Sequence, residues 1–361
     1  MLKPIFLLFM MQAIFWPTKA QDATAFEVVN NKLYQFNSGI ISLLEFQDIS
    51  NLLIGNKFLA YADTRGDYYA VYKGKKTQIT RGQTNLIKTN NYLAYQISSV
   101  LRVFDQGETN ILTSYVGSYG VGDSLIVFQD QIGGNLKYFY KNEIIEFAQV
   151  LGDYYVSSSH IGANVFVYRD NADNYKAFYN GYFYDLLRTN QEVNFSAGLN
   201  VIAFNDNMNY TFSVFNQGEV FDLESDFALK FQAGHNFVYY QDNNEVNKVY
   251  SNGDVMDLGY DLQEVAVYDS IIFFKEVDYP KIWYKNEVHT FYNAQFSNYQ
   301  VSGGCLAYIN SSGGVSAFIR GELIDITRQK VQGFELNGNT IVLKYAPSSY
   351  SVWWNGKMFD F

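Results

Sequence analysis

The sequence predicts an all-β protein assembled from tandem units of about 35 residues, and three observations carry that prediction. First, an apolar triplet closed by an aromatic recurs at Leu59-Ala60-Tyr61, Leu93-Ala94-Tyr95, Ile126-Val127-Phe128, Phe166-Val167-Tyr168, Ile202-Ala203-Phe204, Val238-Tyr239-Tyr240, Ile272-Phe273-Phe274 and Leu306-Ala307-Tyr308. A degenerate ninth copy follows at Ile341-Val342-Leu343. Second, a residue pair, a tight turn and a usually charged residue follow each triplet, as in Val214-Phe215-Asn216-Gln217-Gly218-Glu219 and Trp353-Trp354-Asn355-Gly356-Lys357. Third, the chain carries 31 Tyr and 30 Phe but four prolines. Tyr and Phe suit half-buried strands, where the ring packs on the sheet and the tyrosyl hydroxyl reaches water.

Taken from the start, the first twenty residues read as a secretory signal. Lys3 supplies a positive end, the run 5–16 is apolar except for Gln12, and Ala20 offers a small residue before Gln21. That run is shorter than the roughly 20 residues a spanning helix needs. The expectation is a secreted or periplasmic protein without a membrane span or a lipid-bearing cysteine. Loss of Lys3 and Lys19 lowers the basic count from 26 to 24 against 36 acidic residues, a formal charge of −12. An acidic chain without basic runs argues against nucleic acid and anionic membranes as partners. A single cysteine, Cys305, excludes an internal disulfide framework.

Segment 24–50 looks like a partial unit, and nine units follow from about residue 51. Just before most triplets lies a turn, such as Gly55-Asn56, Gly198-Leu199-Asn200 or Gly234-His235-Asn236. In the second signature Asn replaces Gly at Trp283-Tyr284-Lys285-Asn286-Glu287, which supports a left-handed turn position. Each unit then holds four short strands, in the fifth at about 201–204, 210–215, 219–223 and 228–232.

Four-stranded antiparallel units in tandem, with no helical period between them, resemble β-propeller repeat proteins. The resemblance covers nearly all of 21–361. No WD dipeptide, kelch double glycine or Asp-box narrows it to one family. It implies one domain, a β-propeller of short four-stranded blades of about 35 residues, closed at eight to ten blades. Two smaller propellers or a linear β-solenoid are the alternatives.

Candidate sites are weighed against that repeat. Cys305 shares its column with Phe58, Tyr92, Leu125, Val165, Val201, Phe237 and Ile271, which marks a core position rather than a nucleophile. His160, His235 and His289 fall at different points of the repeat, so a histidine metal site is not expected. Asp63, Asp130, Asp170, Asp206, Asp242 and Glu276, continued by Asn310, follow the triplet and would line one face. Such residues start turns by bonding their own backbone, and an acidic ring of this kind is also the one place for Ca²⁺ or a cationic partner. Glu146, Asp185, Asp222, Asp257, Asp325 and Asp360 form a second column, read as charge that protects an edge strand. Arg65-Gly66-Asp67 reads as an ordinary turn. Tyr68, Tyr69, Tyr279, Trp353 and Trp354 are candidates for stacking on sugar rings if exposed. No catalytic residue stands out, since both acidic columns are too regular to single out a pair. The reading that follows is a monomeric, exported, non-enzymatic scaffold that binds a protein or glycan on one face. The alternative is a propeller glycoside hydrolase or polysaccharide lyase, which needs two carboxyls about 5 to 9.5 Å apart.

Overall fold

In a computed structural model of the chain, the described residues are 24–29, 32–56, 58–82, 84–150, 152, 154–277, 279–291 and 298–360. The expected signal segment lies outside them. They form ten antiparallel sheets, each built from strands consecutive in sequence. Eight sheets have four strands and two have three. In chain order the blades span 24–45, 50–80, 86–113, 116–149, 165–188, 195–224, 230–259, 263–290, 299–327 and 333–360. Among the described residues blade 1 has its second to fourth strands and no first strand. Blade 5 lacks a regular first strand, where a single bridge from Ile161 to Phe166 follows the 3₁₀ turn Ser158–His160.

The count settles at ten because 24–45 forms a blade of its own rather than completing another. It meets blade 10 by face packing. Ala25 and Phe36 share a core with Val342, Tyr350 and Val352, the Phe36 and Phe359 rings lie 5.1 Å apart, and Lys344 reaches Glu27 across the seam at 3.1 Å. Among the described residues no strand is exchanged between blades 1 and 10, so this contact closes the ring.

One detail of the strand reading needs correction. The apolar triplet is the second strand of its blade, not the first. In blade 6 the strands are Phe195–Ala197, Val201–Asp206, Thr211–Asn216 and Glu219–Glu224. The segment near 228–232 instead runs into Lys230–Ala233, the first strand of blade 7. A repeat fixes a period but not a phase, and the first strands are short and weakly patterned.

The triplet is apolar throughout because it is covered on both sides. Successive strand residues point to opposite faces. Leu59 and Tyr61 therefore pack on Phe26 and Leu33 of blade 1, while Phe58 and Ala60 pack on Leu93, Tyr95 and Phe104 of blade 3. A cluster of this kind fills every one of the ten seams between described blades. Each fully buried Phe or Tyr contributes about 1.5–3 kcal/mol by its removal from water. This explains how the chain dispenses with disulfides. Cys305 lies in one such cluster at 3% exposure, and burial pushes its thiol up to about 11.

Turns of two residues join the third and fourth strands in all ten blades, and both residues have positive φ. Eight end in Gly, as at Gln217-Gly218 (φ 53° and 106°), and Asn takes that place at Lys141-Asn142 (49° and 65°) and Lys285-Asn286 (48° and 64°). These are mirror-image turns that match the twist of the strands they join. They emerge on the same face as the turns between first and second strands, here called the upper face. The turns between second and third strands emerge on the lower face.

Candidate functional site

On the lower face the first acidic column closes turns. Asp170 Oδ1 accepts the Ala172 and Asn174 amides, each at 2.9 Å, and Asp242 Oδ1 accepts those of Asn244 and Val246 at the same distance. Asp63 and Asp206 do likewise for Arg65 and Asp67, and for Met208 and Asn209. The other carboxylate oxygen faces a lysine from the third strand: Asp130 with Lys137 at 2.8 Å, Asp242 with Lys248 at 2.9 Å, and Asp170 with Lys176 at 3.8 Å. Glu276 pairs with Lys281 in the same way. Desolvation works against the charged forms of Asp130, Asp170 and Asp242, but these hydrogen bonds outweigh it and lower all three pKa values. Arg65 of the Arg-Gly-Asp turn folds back on Asp63 at 3.2 Å.

The second column stands on the outermost strands, each acid opposite a polar residue of the third strand. Ser213, Ser316 and Ser351 donate to Asp222, Asp325 and Asp360 at 2.7, 2.7 and 2.6 Å. Lys137 and Lys176 stand opposite Glu146 and Asp185 in register. The sequence reading had the acids without these partners.

The stacking candidates divide. Tyr68 is 6% exposed and its hydroxyl accepts from Asn51, and Trp353 is 7% exposed inside a seam. Neither offers a ring face, because both belong to third strands covered on two sides. Trp354 is half-buried against Phe36, and Tyr279 is 45% exposed. The histidines lie apart. His160 is packed on Phe195, and His289 on Phe318. His235 sits on the upper face, with Nδ1 3.2 Å from Ser270 Oγ and Nε2 3.7 Å from Asp269. This Ser, His and Asp grouping escapes sequence reasoning because it joins two blades. At 3.7 Å Asp269, half exposed, makes no hydrogen bond that would orient the ring.

Around the axis, the upper turns of neighbouring blades are stitched together by main-chain hydrogen bonds. Ala163 N donates to Gly198 O at 2.8 Å, Asn164 N to Leu199 O at 3.0 Å, Asn200 N to His235 O at 3.1 Å and Asn56 N to Asn90 O at 2.8 Å. Side chains continue the ladder: Asn164 Nδ2 donates to Asn200 Oδ1 at 3.0 Å, and Asn200 Nδ2 to Asn236 Oδ1 at 2.7 Å. Glycine is required here by close approach. A Cβ on Gly162 would lie 1.8 Å from Gly198 O, and one on Gly198 1.8 Å from Gly234 O.

Outside this ring, still on the upper face, lies an open groove of about 700 Å³ that crosses blades 2 to 6. Its wall includes Tyr72, Asp105, Tyr140 and Tyr179, with Asn91, Asn142, Asn164, Asn180 and Lys141. The first four occupy one repeat position, the last residue of the third strand, in blades 2 to 5. Asp105 is the one carboxylate at this position, which elsewhere holds Asn37, Asn216, Ser251, Tyr284, Ile319 and Trp354. It is half-buried, burial raises its pKa against the opposing effect of the Gln106 backbone amide that it accepts, and no side chain among the described residues makes a hydrogen bond or ion pair to it. Its charge in turn helps raise the pKa of the adjacent, buried Tyr92, after burial itself. The groove's other carboxylate, Asp123, is committed to Asn90, accepting its amide N–H at 2.8 Å and its side chain at 2.7 Å. The missed signal for Asp105 lies in the repeat: Phe104-Asp105-Gln106-Gly107 carries an acid where the other nine blades carry Tyr, Asn, Ser, Ile or Trp.

A closed ring of ten antiparallel blades with a polar groove on its turn face defines a β-propeller. The sequence matches the 10-bladed beta propeller domain family over residues 17–359, and the chain belongs to that family. No curated protein matches it. Solved structures resemble it only distantly. The computationally designed Ika8 protein shares 13% identity at a TM-score of 0.33, covering 85% of this chain and 96% of Ika8. PorZ, an essential surface component of the type-IX secretion system of Porphyromonas gingivalis, shares 10% at 0.30, covering 94% of this chain and 57% of PorZ. Kluyveromyces lactis Hsv2p shares 11% at 0.31, covering 67% and 97%. At these scores the likenesses carry no functional argument. No helix among the described residues is long and apolar enough to cross a membrane.

Proposed function

We propose that the chain is an exported, non-enzymatic scaffold that seats a glycan or protein partner on the upper face. The observation that carries this reading is the groove over blades 2 to 6, lined by tyrosine and amide side chains and by Asp105. Elsewhere the polar groups considered above are engaged: the lower-face acids close turns, and the axial amides bond one another. In the groove, half-buried tyrosine edges and the exposed Asn142 and Asn180 side chains stand at successive blades. Rings supply an apolar platform and amides both donate and accept, which is the chemistry of a binding surface for hydroxyl-rich or peptide ligands.

The test is to remove the platform. Tyr140→Ala with Tyr179→Ala should abolish retention of a partner that the wild-type protein captures, while the ring stays folded. Retention that survives the double substitution overturns the placement on this face. Export is tested separately by fusing residues 1–20 to a reporter that lacks a signal; a reporter that stays in the cytosol overturns it.

The enzyme alternative is supported by Asp105, a carboxyl whose burial favours the protonated form, as a general acid requires. It would need a second free carboxyl, and Asp123 is held by Asn90. Release of reducing ends or unsaturated uronates from a polysaccharide, lost in Asp105→Asn, would replace the scaffold reading with this one.

A further inference from the structure

The geometry points to a linear, uncharged polysaccharide as the groove's ligand, laid along the arc of blades 2 to 5, with Asp105 as the acceptor that reads a pair of neighbouring hydroxyls. This inference rests on the scaffold reading above and narrows it to one ligand class and one selecting residue.

Shape comes first. One repeat position supplies one groove side chain per blade, in the order Tyr72, Asp105, Tyr140, Tyr179. A site built this way has a period, and it crosses several blades rather than closing over one small molecule. Chains with a repeating ring suit it better than a single compact ligand. Partly exposed tyrosines give such rings an apolar face to lie on.

Charge comes second. The lining is mostly amide and phenol. Its one lysine, Lys141, sits 4.8 Å over the ring of its own Tyr140 and so keeps a positive charge beside the groove. A polyanion is repelled by Asp105 and Asp123 within an acidic protein, and Lys141 offsets one of those two charges for a polycation. The amides and phenols that make up most of the lining suit a neutral chain of hydroxyls.

Asp105 then has a role the repeat cannot give it. An ionised carboxylate is a pure acceptor with two oxygens, and it can take one hydrogen bond from each of two adjacent hydroxyls. No protein side chain among those described occupies it with an ion pair or hydrogen bond. The group is half-buried at the groove wall, so a bound hydroxyl pair would replace water there at a site already partly desolvated.

The experiment uses the full-length chain after export and measures binding by affinity electrophoresis and calorimetry. The probes are laminarin, dextran and glucomannan as neutral chains, polygalacturonate as the anionic one and chitosan as the cationic one. The expected result is binding of a neutral probe that weakens roughly 10- to 100-fold in Asp105→Asn, the span a charged hydrogen bond is worth. Asp105→Tyr, the residue of blades 2, 4 and 5 at this position, should lose that binding while thermal stability holds. Wild-type binding should also fall on acidification, with a midpoint above the ordinary Asp value of 3.8. The other titratable groups lining the groove are Asp123, Lys141, Tyr72, Tyr92, Tyr140 and Tyr179. All of these are present in both proteins, so whatever they contribute is common to the two profiles. Asp105→Asn should therefore flatten the profile.

Equal binding of a neutral chain by wild type and Asp105→Asn overturns the role of Asp105 and leaves the scaffold reading intact. Preference for chitosan or polygalacturonate overturns the neutral class. Binding to none of the five overturns the polysaccharide inference, and the scaffold reading then stands or falls on the tyrosine pair with a protein partner.

Discussion

Replacing Gly198 by alanine puts a methyl group where the next blade's backbone already lies. The added carbon would sit 1.8 Å from Gly234 O, 3.0 Å from Gly234 C and 3.1 Å from Val201 Cγ2. Ordinary contact between carbon and oxygen needs more than 3 Å, so the two upper turns must separate by over an ångström, and backbone cannot swing aside as a long side chain can. The shift threatens Leu199 N→His235 O at 2.9 Å, Asn200 N→His235 O at 3.1 Å and Ala163 N→Gly198 O at 2.8 Å. Two or three such bonds at about 0.5–1.5 kcal/mol each, with about 1–3 kcal/mol of overpacking strain, give a loss of about 3–5 kcal/mol. Urea unfolding of Gly198→Ala should show the midpoint lowered accordingly. Gly333→Ala is the control, because nothing lies within 4 Å of its added carbon and its φ is not in the left-handed region. It should be neutral or stabilising by about 0.4–1 kcal/mol. A Gly198→Ala midpoint within about 0.5 kcal/mol of wild type would refute the view that the glycine column serves the close approach of neighbouring turns.

Lys248→Met removes the cation between Asp242 at 2.9 Å and Glu224 at 2.7 Å, leaving Asp242 at 4% exposure without a charge partner. The loss should be about 2 kcal/mol, below the 3–5 kcal/mol for a fully buried pair because Lys248 keeps some solvent. Asp242 has a lowered pKa, so its contribution is complete above 3.8 and disappears as pH falls through the still lower value of the folded state. Chemical denaturation across that range should show the gap between variant and wild type narrowing with acid. A thiol reagent at pH 8 should leave native Cys305 unlabelled, since it is buried and its pKa is raised to about 11, and should react promptly in denaturant; native labelling at the rate of a free thiol would contradict its core position. Asn286→Val, at φ 64°, should cost about 1–2 kcal/mol, whereas Asn286→Gly should cost nothing, as thermal melts of the two would show.

Much of the architecture was legible because it is repeated. A position that recurs nine times reports its environment by the residues it tolerates. The column through Phe58, Leu125, Val201 and Cys305 thus read as core, and it is buried throughout. Turn chemistry was equally readable, since Asn for Gly at Lys285-Asn286 signals a left-handed residue, and φ there is 64°. The phase of the blade was not readable. A first strand such as Phe195–Ala197 is three residues long and leaves no pattern strong enough to mark a boundary. The groove was harder still. Asp105, Tyr140 and Asn164 lie in different blades, and only closure of the ring places them along one wall. The same holds for His235 and Ser270, 35 residues apart and 3.2 Å from one another.

By itself, then, the sequence determined the all-β class, the repeat, the turn types and the core columns, because each depends on residues near one another in the chain. Tertiary structure decided the count of ten, the seam between blades 1 and 10, and which polar groups are spent and which are offered. Those depend on distances between blades, and a Cβ that meets its neighbour at 1.8 Å or a carboxylate that no side chain engages exists only once the ring has closed.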